Sequence, residues 1–248
     1  MTGLVLGIDV GGSSVKAALV DVQAGKVSGT PIAAPTPQPS TPQALTDTLA
    51  GLAARLPGTA AAGVAFPTVI KRGTAYTAAN IDPGWLGTDA AALAGAALRR
   101  PVHFLNDADA AGIAEMRFGS GRGCSGTVVM LTFGTGIGTA LFSGGQLFPN
   151  SELGHLELRG MDAEKWASAH VRTAQNLDFP AWIGRVNDYL QALQRLLWPD
   201  VFILGGAVSE RFSEFAPLLR SQAELRPAQF ANQAGIIGAA MAAAEALH

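Results

Sequence analysis

Two glycine-rich turns, each joined to hydroxyl side chains, are the residues of this chain best suited to chemistry. The first reads Gly11-Gly12-Ser13-Ser14 and the second reads Gly134-Thr135-Gly136. Glycine lets the backbone approach an anion with successive N–H groups pointing at it, and the hydroxyl groups add further donors. Two such turns, half a chain apart, predict two related halves that hold a phosphate chain between them.

A second candidate is the dipeptide Asn106-Asp107, which lies between an apolar run and a helical pattern. In open α/β sheets, ligands collect at the carboxyl ends of strands. An aspartate there can accept the proton of a hydroxyl group that attacks phosphorus. Asp107 could instead cap the helix, since aspartate is a favoured cap, and Asp109 could also take that position. The dipeptide alone leaves both interpretations open.

A third group combines carboxylates with a histidine. Glu152 and His155 are three residues apart, close enough to converge on one ligand, and Glu164 begins a later helical pattern. Carboxylates and imidazole are good hydrogen-bond partners for sugar hydroxyls. His155 could equally be a structural histidine, and a metal role would need more ligands than this group shows.

Three weaker signals lie beside the turns. Asp9 precedes the first turn and could hold Mg²⁺, usually through water. Lys16 is either a phosphate contact or a solvated lysine on a strand. Gly205-Gly206 follows a strand, where a third turn over a phosphate tail would fit, although such pairs also form ordinary tight turns.

Strands and helices that alternate along the chain must position these residues, which indicates an α/β protein with one sheet in each half. The predicted strands are 4–9, 15–21, 61–66, 102–105, 127–132, 138–142 and 201–204, and the predicted helices are 42–55, 90–100, 107–118, 164–175 and 180–197. Residues 31–42 are rich in Pro, Thr and Ser and are interpreted as a loop. We expect an N-terminal domain of 1–106, a C-terminal domain of 107–234, and a last helix, 235–248, that packs on the first domain.

The composition excludes several classes of function. The chain has 248 residues, 48% of them hydrophobic and 15% charged, which is typical of a protein with a sizeable core. A net charge of −2 gives no overall basic field, so we expect no binding to nucleic acid. Cys124 is the only cysteine, which excludes an intrachain disulfide and a cysteine-built zinc site. The sequence shows no leader and no bilayer-spanning apolar run, so we expect a cytoplasmic protein without membrane contact.

In this order, the motifs resemble those of the ROK family of sugar kinases, within the actin–hexokinase ATPase superfamily. Residues 9–14 look like the family's first phosphate motif, 132–138 like the second and 204–209 like the adenosine-side motif. Residues 106–112 look like the catalytic segment, and 152–155 and 164–168 like the sugar-binding segments. The resemblance implies a two-domain actin-like ATPase fold of the ribonuclease H-like type, with a cleft between the domains.

The resemblance also implies roles for single residues. Asp107 would be the general base, with Asn106, Glu152, His155, Glu164 and Asn80 as sugar ligands. The phosphate contacts would be Gly11, Gly12, Ser13, Ser14, Lys16, Gly134, Thr135, Gly136, Gly205 and Gly206, with Mg²⁺ near Asp9. Most members carry a cysteine-rich zinc loop after the histidine. Residues 156–163 contain no cysteine, so we expect no structural zinc and a His155 that faces the sugar.

Longer phrases are similar to those of family members that use inorganic polyphosphate, and they cover 66–73, 79–88, 106–119, 149–158 and 198–206. We therefore expect phosphoryl transfer from polyphosphate to the 6-hydroxyl of glucose. The alternatives are ATP-dependent phosphorylation of glucose or mannose and, less favoured, a non-catalytic sugar sensor. A basic track for the polyanion would draw on Lys16, Lys71, Arg72, Arg117, Arg122, Lys165, Arg172 and Arg185, each of which could also be ordinary solvated charge. The resemblance also implies a homodimer.

Overall fold

Apolar runs form the central strands of both sheets, and polar or proline residues begin most of the helices. The computed structural model describes residues 3–56, 58–79 and 81–247. The strands are β1 (Leu4–Val10), β2 (Ser14–Asp21), β3 (Lys26–Pro35), β4 (Ala62–Phe66), β5 (Ile70–Lys71), β6 (Thr74–Ala75), β7 (Val102–Asn106), β8 (Thr127–Phe133), β9 (Ile137–Ser143), β10 (Gln146–Phe148), β11 (Glu157–Leu158), β12 (Met161–Asp162), β13 (Val201–Gly205) and β14 (Glu224–Pro227). The α-helices are α1 (Pro42–Ala54), α2 (Ala90–Leu98), α3 (Asp107–Phe118), α4 (Ala163–Ala167), α5 (Ala169–Ala174), α6 (Phe179–Leu197), α7 (Phe212–Phe215) and α8 (Ala234–Ala246). Short 3₁₀ helices occupy Pro83–Trp85, Leu153–His155, Ala207–Arg211, Ala216–Leu218 and Ala231–Gln233.

The chain divides into two compact units, which we call unit 1 (Met1–Ala114 with Gln233–His248) and unit 2 (Glu115–Asn232). The division falls inside α3, and the domain boundary expected near Asn106 stays a prediction. Each unit contains a five-stranded sheet, so the fold has the predicted sheet in each half.

The sheet of unit 1 has the order β3-β2-β1-β4-β7, with β1, β2 and β3 antiparallel and β1, β4 and β7 parallel. One face carries large apolar side chains such as Leu6, Ile8 and Val64, which pack in one core with residues of α1 and α2. On the other face, β1 and β4 carry small residues such as Gly7, Gly63 and Ala65, and α8 packs on β1, β4 and β7 there. The alternation of large and small residues along β1 and β4 therefore decides which helix each face receives.

The sheet of unit 2 repeats the plan with the order β10-β9-β8-β13-β14. Strands β8, β9 and β10 are antiparallel, and β8, β13 and β14 are parallel. Its core includes Val129 and Leu131 from β8 together with Trp182, Val186 and Leu190 from α6. In both units a hairpin that contains a glycine turn is followed by a parallel strand, which matches the prediction of two related halves.

Two predicted elements differ from the structure. Residues 31–35, expected in a loop, belong to the edge strand β3. The sequence pattern does not indicate a strand here, because the residues of β3 are mostly exposed and include proline. An edge strand tolerates proline because one side of its backbone needs no sheet partner. The single helix expected over 164–175 is two helices, because Ser168 has extended backbone and its hydroxyl caps α5 by accepting from Val171 N at 3.3 Å. Among the described residues, no helix is both long and apolar enough to cross a membrane.

Candidate functional site

The first glycine turn joins β1 to β2 and is braced by a residue outside the motif. Within the turn, Gly11 N donates to Ser14 O at 3.0 Å. Thr36 donates from its backbone N to Ser13 O at 3.1 Å and from its hydroxyl to Gly11 O at 2.6 Å. Motif reasoning missed Thr36 because it lies in the segment interpreted as a loop. These bonds fix the turn while Gly12 and Ser13 stay exposed.

A cavity of about 280 Å³ lies beside this turn in unit 1. Its lining includes Gly11, Gly12, Thr36, Ser40, Pro67 and Asp82. The volume is near the lower end of small-ligand pockets, which begin at roughly 300 Å³. Asn80 lies outside the described residues, but its neighbours Ala79 and Ile81 both line the cavity. The cavity thus joins a predicted phosphate turn to the segment that holds a predicted sugar ligand.

Asp9 and Lys16 are direct partners across β1 and β2, so the two signals read separately from the sequence form one pair. A side chain at Gly235, in the first turn of α8, would come within 2.8 Å of Asp9 Cγ, so the Asp9 carboxylate lies against the start of this helix. Burial raises the pKa of Asp9, and the positive charge of Lys16 lowers that pKa by a smaller amount. A desolvated carboxylate beside a phosphate turn is a group that a divalent cation would stabilise.

The start of α3 is capped by Asn106. The Oδ1 atom of this buried side chain accepts from Ala108 N at 2.9 Å and from Asp109 N at 3.1 Å, and Nδ2 donates to Thr68 O at 3.3 Å. Asp107 is partly buried, and its Oδ1 accepts from Ala108 N at 2.8 Å. Asn106 therefore takes the capping role that the sequence left open between Asp107 and Asp109.

In unit 2 the second glycine turn contacts one of the predicted sugar ligands. Glu164 Oε2 accepts from Ile137 N at 3.3 Å, and a side chain at Gly136 would collide with the Glu164 carboxylate. Gly134 O accepts from His170 N at 3.0 Å, which attaches α5 to the same turn. A side chain at position 136 would therefore displace the Glu164 carboxylate from the turn.

The third glycine pair packs on the second turn. Gly206 has a φ of +85° and follows β13, and a side chain there would collide with the backbone of Phe133. Gly205 ends β13, and its added Cβ would lie 3.5 Å from Thr132 Cγ2. Position 206 thus needs glycine for two reasons, its left-handed backbone and its close contact with the backbone of Phe133. The glycine pair therefore lies against the end of β8, the strand that leads into the second turn.

The predicted sugar ligands of unit 2 form one cluster. His155 Nε2 lies 3.6 Å from Glu152 Oε2, and His155 Nδ1 lies 3.9 Å from Glu164 Oε1. Burial raises the pKa of Glu152, the charge of His155 lowers it, and the charge of Glu164 raises it. The residues that hold the segment in place are Thr139, whose hydroxyl accepts from Leu153 N at 3.1 Å, and Gly154, where a side chain would collide with Ile137 O.

Motif reasoning missed a fourth member of this cluster, Asp162. Its Oδ2 lies 3.8 Å from His155 Nδ1 and 2.8 Å from Lys165 Nζ. The hydrogen bond from Lys165, with the charges of Lys165 and His155, lowers the pKa of Asp162. Ligand atoms of His155, Asp162 and Glu164 lie within 4.8 Å of one another, but the Lys165 ammonium already occupies the Asp162 oxygen that faces His155. The only available signal in the sequence was the charged pair Asp162 and Lys165 at helical spacing.

Some of the candidate basic residues share neighbouring helices of unit 2. Lys165, Arg172 and Arg185 lie on α4, α5 and α6, respectively. The Arg185 guanidinium stacks over Trp166 at 4.3 Å and the Arg172 guanidinium over Phe179 at 4.3 Å. Two arginines not selected from the sequence join them, Arg159 over Trp166 at 5.1 Å and Arg211 over Phe179 at 4.6 Å. Of the remaining candidates, Lys16, Lys71 and Arg72 belong to unit 1, and Arg117 and Arg122 to unit 2.

The predicted site residues are thus divided between the units. Unit 1 contains Asp9, Gly11, Gly12, Ser13, Ser14, Lys16, Asn106 and Asp107, and unit 2 contains Gly134, Thr135, Gly136, Glu152, His155, Glu164, Gly205 and Gly206. In unit 1 Asp9 pairs with Lys16, and in unit 2 Glu164 lies beside both Gly136 and His155. Unit 1 offers an acid at a strand end and a phosphate turn, and unit 2 offers a phosphate turn and a cluster suited to hydroxyl groups.

Comparison with known proteins links this arrangement to sugar phosphorylation. The family model for the ROK family matches residues 5–171. The polyphosphate glucokinase of Mycobacterium tuberculosis (strain CDC 1551 / Oshkosh) is 45% identical over 237 residues, which cover 95% of this chain and 89% of the relative. The crystal structure of the inorganic polyphosphate/ATP-glucomannokinase from Arthrobacter sp. strain KM has a TM-score of 0.94 and 43% identity, covering 98% of this chain and 99% of its own.

A more distant solved structure shows the fold. The ROK family glucokinase from Streptomyces griseus, determined in complex with glucose and AMPPNP, has a TM-score of 0.84 and 24% identity, covering 98% of this chain and 100% of its own. The predicted fold class, α/β and of the two-domain actin-like ATPase type, is confirmed by these similarities together with the two sheets.

Proposed function

Because this chain belongs to the ROK family, we propose that it transfers a terminal phosphoryl group from inorganic polyphosphate to the 6-hydroxyl of glucose. The observation that carries this proposal is its 45% identity, over 95% of the chain, to a polyphosphate glucokinase. The chain retains Asp107 at the start of α3 and both glycine turns, which a kinase needs and a sugar sensor does not. The protein is therefore an enzyme, a sugar kinase.

Asp107 is the general base of the proposed reaction. Its carboxylate accepts the proton of the glucose 6-hydroxyl while the oxygen attacks the terminal phosphorus. The bond from that phosphorus to its bridging oxygen breaks, and the polyphosphate, shorter by one phosphate, leaves with the electron pair. Asn106 caps the helix that carries Asp107, so it holds the base in position.

Sugar recognition falls to the carboxylate and imidazole groups. The proposed acceptors are the side chains of Glu152, His155 and Glu164. The imidazole of His155 lies 3.6 Å from the carboxylate of Glu152 and 3.9 Å from that of Glu164, a spacing suited to neighbouring hydroxyls of one sugar. Asn106 and Asn80 are the further sugar ligands that we assign by family resemblance. Glu164 also contacts Gly136 of the second turn, so a proposed sugar ligand and a proposed phosphate contact of unit 2 lie side by side.

The glycine turns are the proposed contacts for the terminal phosphates. The reaction is a phosphoryl transfer of the kind that uses a divalent metal, and we propose Mg²⁺, held near Asp9. When bound, Mg²⁺ would neutralise charge on the transferring phosphate. The carboxylate of Asp9, whose pKa desolvation raises, fits such a cation. Lys16, its partner across the strands, offsets part of that charge in the absence of the cation.

Dual use of polyphosphate and ATP is the second candidate function, favoured by the similarity to the glucomannokinase that is named for both donors. The deciding experiment measures glucose 6-phosphate formation with nucleotide-free polyphosphate and, separately, with ATP. Turnover with polyphosphate supports the proposal, and turnover with ATP alone identifies an ATP-dependent glucokinase instead. Glucose binding without turnover on either donor would identify a sugar sensor. Mannose in place of glucose tests the acceptor.

The basic residues of α4, α5 and α6 are the proposed path of the polyphosphate chain in unit 2. Lys165 is tied to Asp162, but Arg172 and Arg185 stack on aromatic rings, which keeps their guanidinium groups in place. The homodimer and the cytoplasmic location expected from the sequence stay predictions. Sedimentation of the purified protein tests the first of them.

A further inference from the structure

Asp162 stands immediately before α4, where an aspartate side chain ordinarily accepts hydrogen bonds from the first helical N–H groups. No such capping bond is made by Asp162 in the described structure. Instead, Oδ2 accepts from the side chain of Lys165, a residue of α4, at 2.8 Å, and the same oxygen lies 3.8 Å from His155 Nδ1. Its carboxylate thus lies between the ammonium of Lys165 and the imidazole of His155.

The β11–β12 hairpin delivers Asp162 to this position. Glu157 and Asp162 are paired across the hairpin, and the turn between the strands uses left-handed backbone at Arg159 and Gly160, with φ of +56° and +80°. Ala163 N donates to Leu156 O at 2.9 Å, so the residue after Asp162 is bonded to the residue after His155. The backbone itself therefore fixes Asp162 beside the imidazole.

We propose that Asp162 is a positioning residue that keeps the proton of the neutral His155 imidazole on Nδ1. A neutral imidazole has one N–H donor and one acceptor nitrogen, and a carboxylate at one nitrogen selects the proton for that nitrogen. His155 Nε2 then becomes an acceptor, 3.6 Å from the carboxylate oxygen of Glu152. Two acceptors side by side match two adjacent hydroxyl groups of a sugar, each of which donates one proton.

The other carboxylates around His155 lie no closer to Nδ1 than Asp162 does. Glu164 Oε1 lies 3.9 Å from Nδ1, and the other oxygen of Glu164 accepts from Ile137 N at 3.3 Å, which ties Glu164 to the glycine turn. Glu152 faces the opposite nitrogen. Lys165 Nζ holds the same Asp162 oxygen at 2.8 Å, which steadies the carboxylate and offsets its charge.

The tautomer is measured directly by ¹⁵N NMR of histidine-labelled protein, above roughly pH 8, where an ordinary histidine is neutral. A His155→Gln variant identifies the His155 signals. We expect the Nδ1–H form in the unsubstituted protein and a shift of the population toward Nε2–H in Asp162→Asn. The matched control is Asp188→Asn, which removes a carboxylate that contacts the same hairpin through Arg159 at 3.0 Å but does not face His155. The control should keep the Nδ1–H form.

An Nε2–H form in the unsubstituted protein, or an unchanged tautomer in Asp162→Asn, would overturn the proposal whatever the kinetics show. The sugar part of the inference rests on the proposed function and has its own readout. Asp162→Asn should raise the KM for glucose about 10-fold, the effect of one misdirected hydrogen bond, with a smaller change in kcat. A changed tautomer with unchanged KM would support the positioning role and count against His155 as a sugar ligand.

Discussion

The reaction depends most on one carboxylate at the start of α3. Replacing Asp107 with Asn keeps the size of the side chain but removes the proton acceptor, so we expect kcat to fall roughly 10²-fold or more. The KM for glucose should change much less, because the sugar ligands remain. Steady-state assays with polyphosphate measure both constants. Near-native turnover in a folded Asp107→Asn variant would show that another group is the base.

A matched control for that variant is Asp47→Asn. Asp47 is an exposed carboxylate on α1 that accepts from Gln43 Nε2 at 2.8 Å, so its replacement makes the same change of charge away from the proposed chemistry. Its kcat should equal that of the unsubstituted protein. Circular dichroism of both variants separates a lost base from a lost fold.

Asp9 should weaken the fold at neutral pH, since burial raises its pKa above the ordinary value of 3.8. A raised pKa means that folding disfavours the ionised form, and this penalty is present above the folded pKa and absent below the unfolded one. Asp9→Asn should therefore increase the free energy of unfolding at pH 7, while lowering activity if Asp9 holds Mg²⁺. The gain should shrink as the pH falls below the raised folded pKa and vanish below about pH 3, where the carboxyl is neutral in both states. Urea unfolding at the two pH values measures it, and an equal effect at both would contradict the assignment.

Helix α8 and the sheet of unit 1 approach so closely that two positions on the strands leave no room for a side chain. A Cβ at Gly63 on β4 would collide with Ala239 O, and one at Gly7 on β1 would collide with Ile236 O. Gly63→Ala must push the helix off the strand, so we expect it to lower the free energy of unfolding by about 1–3 kcal/mol. Denaturant unfolding followed by circular dichroism measures the change.

Gly51→Ala is the control for Gly63→Ala. Gly51 lies on the exposed side of α1, and an added Cβ there would meet no atom within 4 Å. Alanine is the better helix former, so this variant should gain about 0.5–1 kcal/mol of stability. Equal responses of the two glycines would mean that the contact between α8 and β4 is looser than described.

The net charge of the whole chain, −2, does not favour the binding of a polyanion such as polyphosphate. Polyphosphate binding must therefore depend on local basic groups, which salt screens within about 10 Å at 0.1 M. We expect the KM for long polyphosphate to rise with salt. Arg172→Gln and Arg185→Gln should each raise that KM about 2- to 5-fold, the worth of one exposed charge contact.

Arg195→Gln provides the comparison for the two arginine variants. Arg195 is an exposed residue on α6, the helix that carries Arg185, and has no described aromatic stacking partner. Its replacement should leave the KM for polyphosphate unchanged, and all three variants should keep the KM for ATP nearly constant. A KM for polyphosphate that is insensitive to salt and to both substitutions would exclude this surface as the path of the chain.

The sequence alone determined those features that depend on neighbours along the chain. Both glycine turns, the strand before Asn106, the helix after it and the apolar runs of the sheets could be predicted, because short-range patterns encode turns, caps and burial. Family resemblance added the chemistry of Asp107, Glu152, His155 and Glu164. The predicted roles of these residues await the experiments above.

Only the tertiary structure decided the contacts between residues that are distant in the sequence. It placed Thr36 on the first turn, made Asn106 the cap of α3 and brought Asp162 beside His155. It also placed Gly63 against Ala239 of α8, more than 170 residues away along the chain. Such contacts are set by how strands and helices pack, and no local pattern records which surfaces will meet.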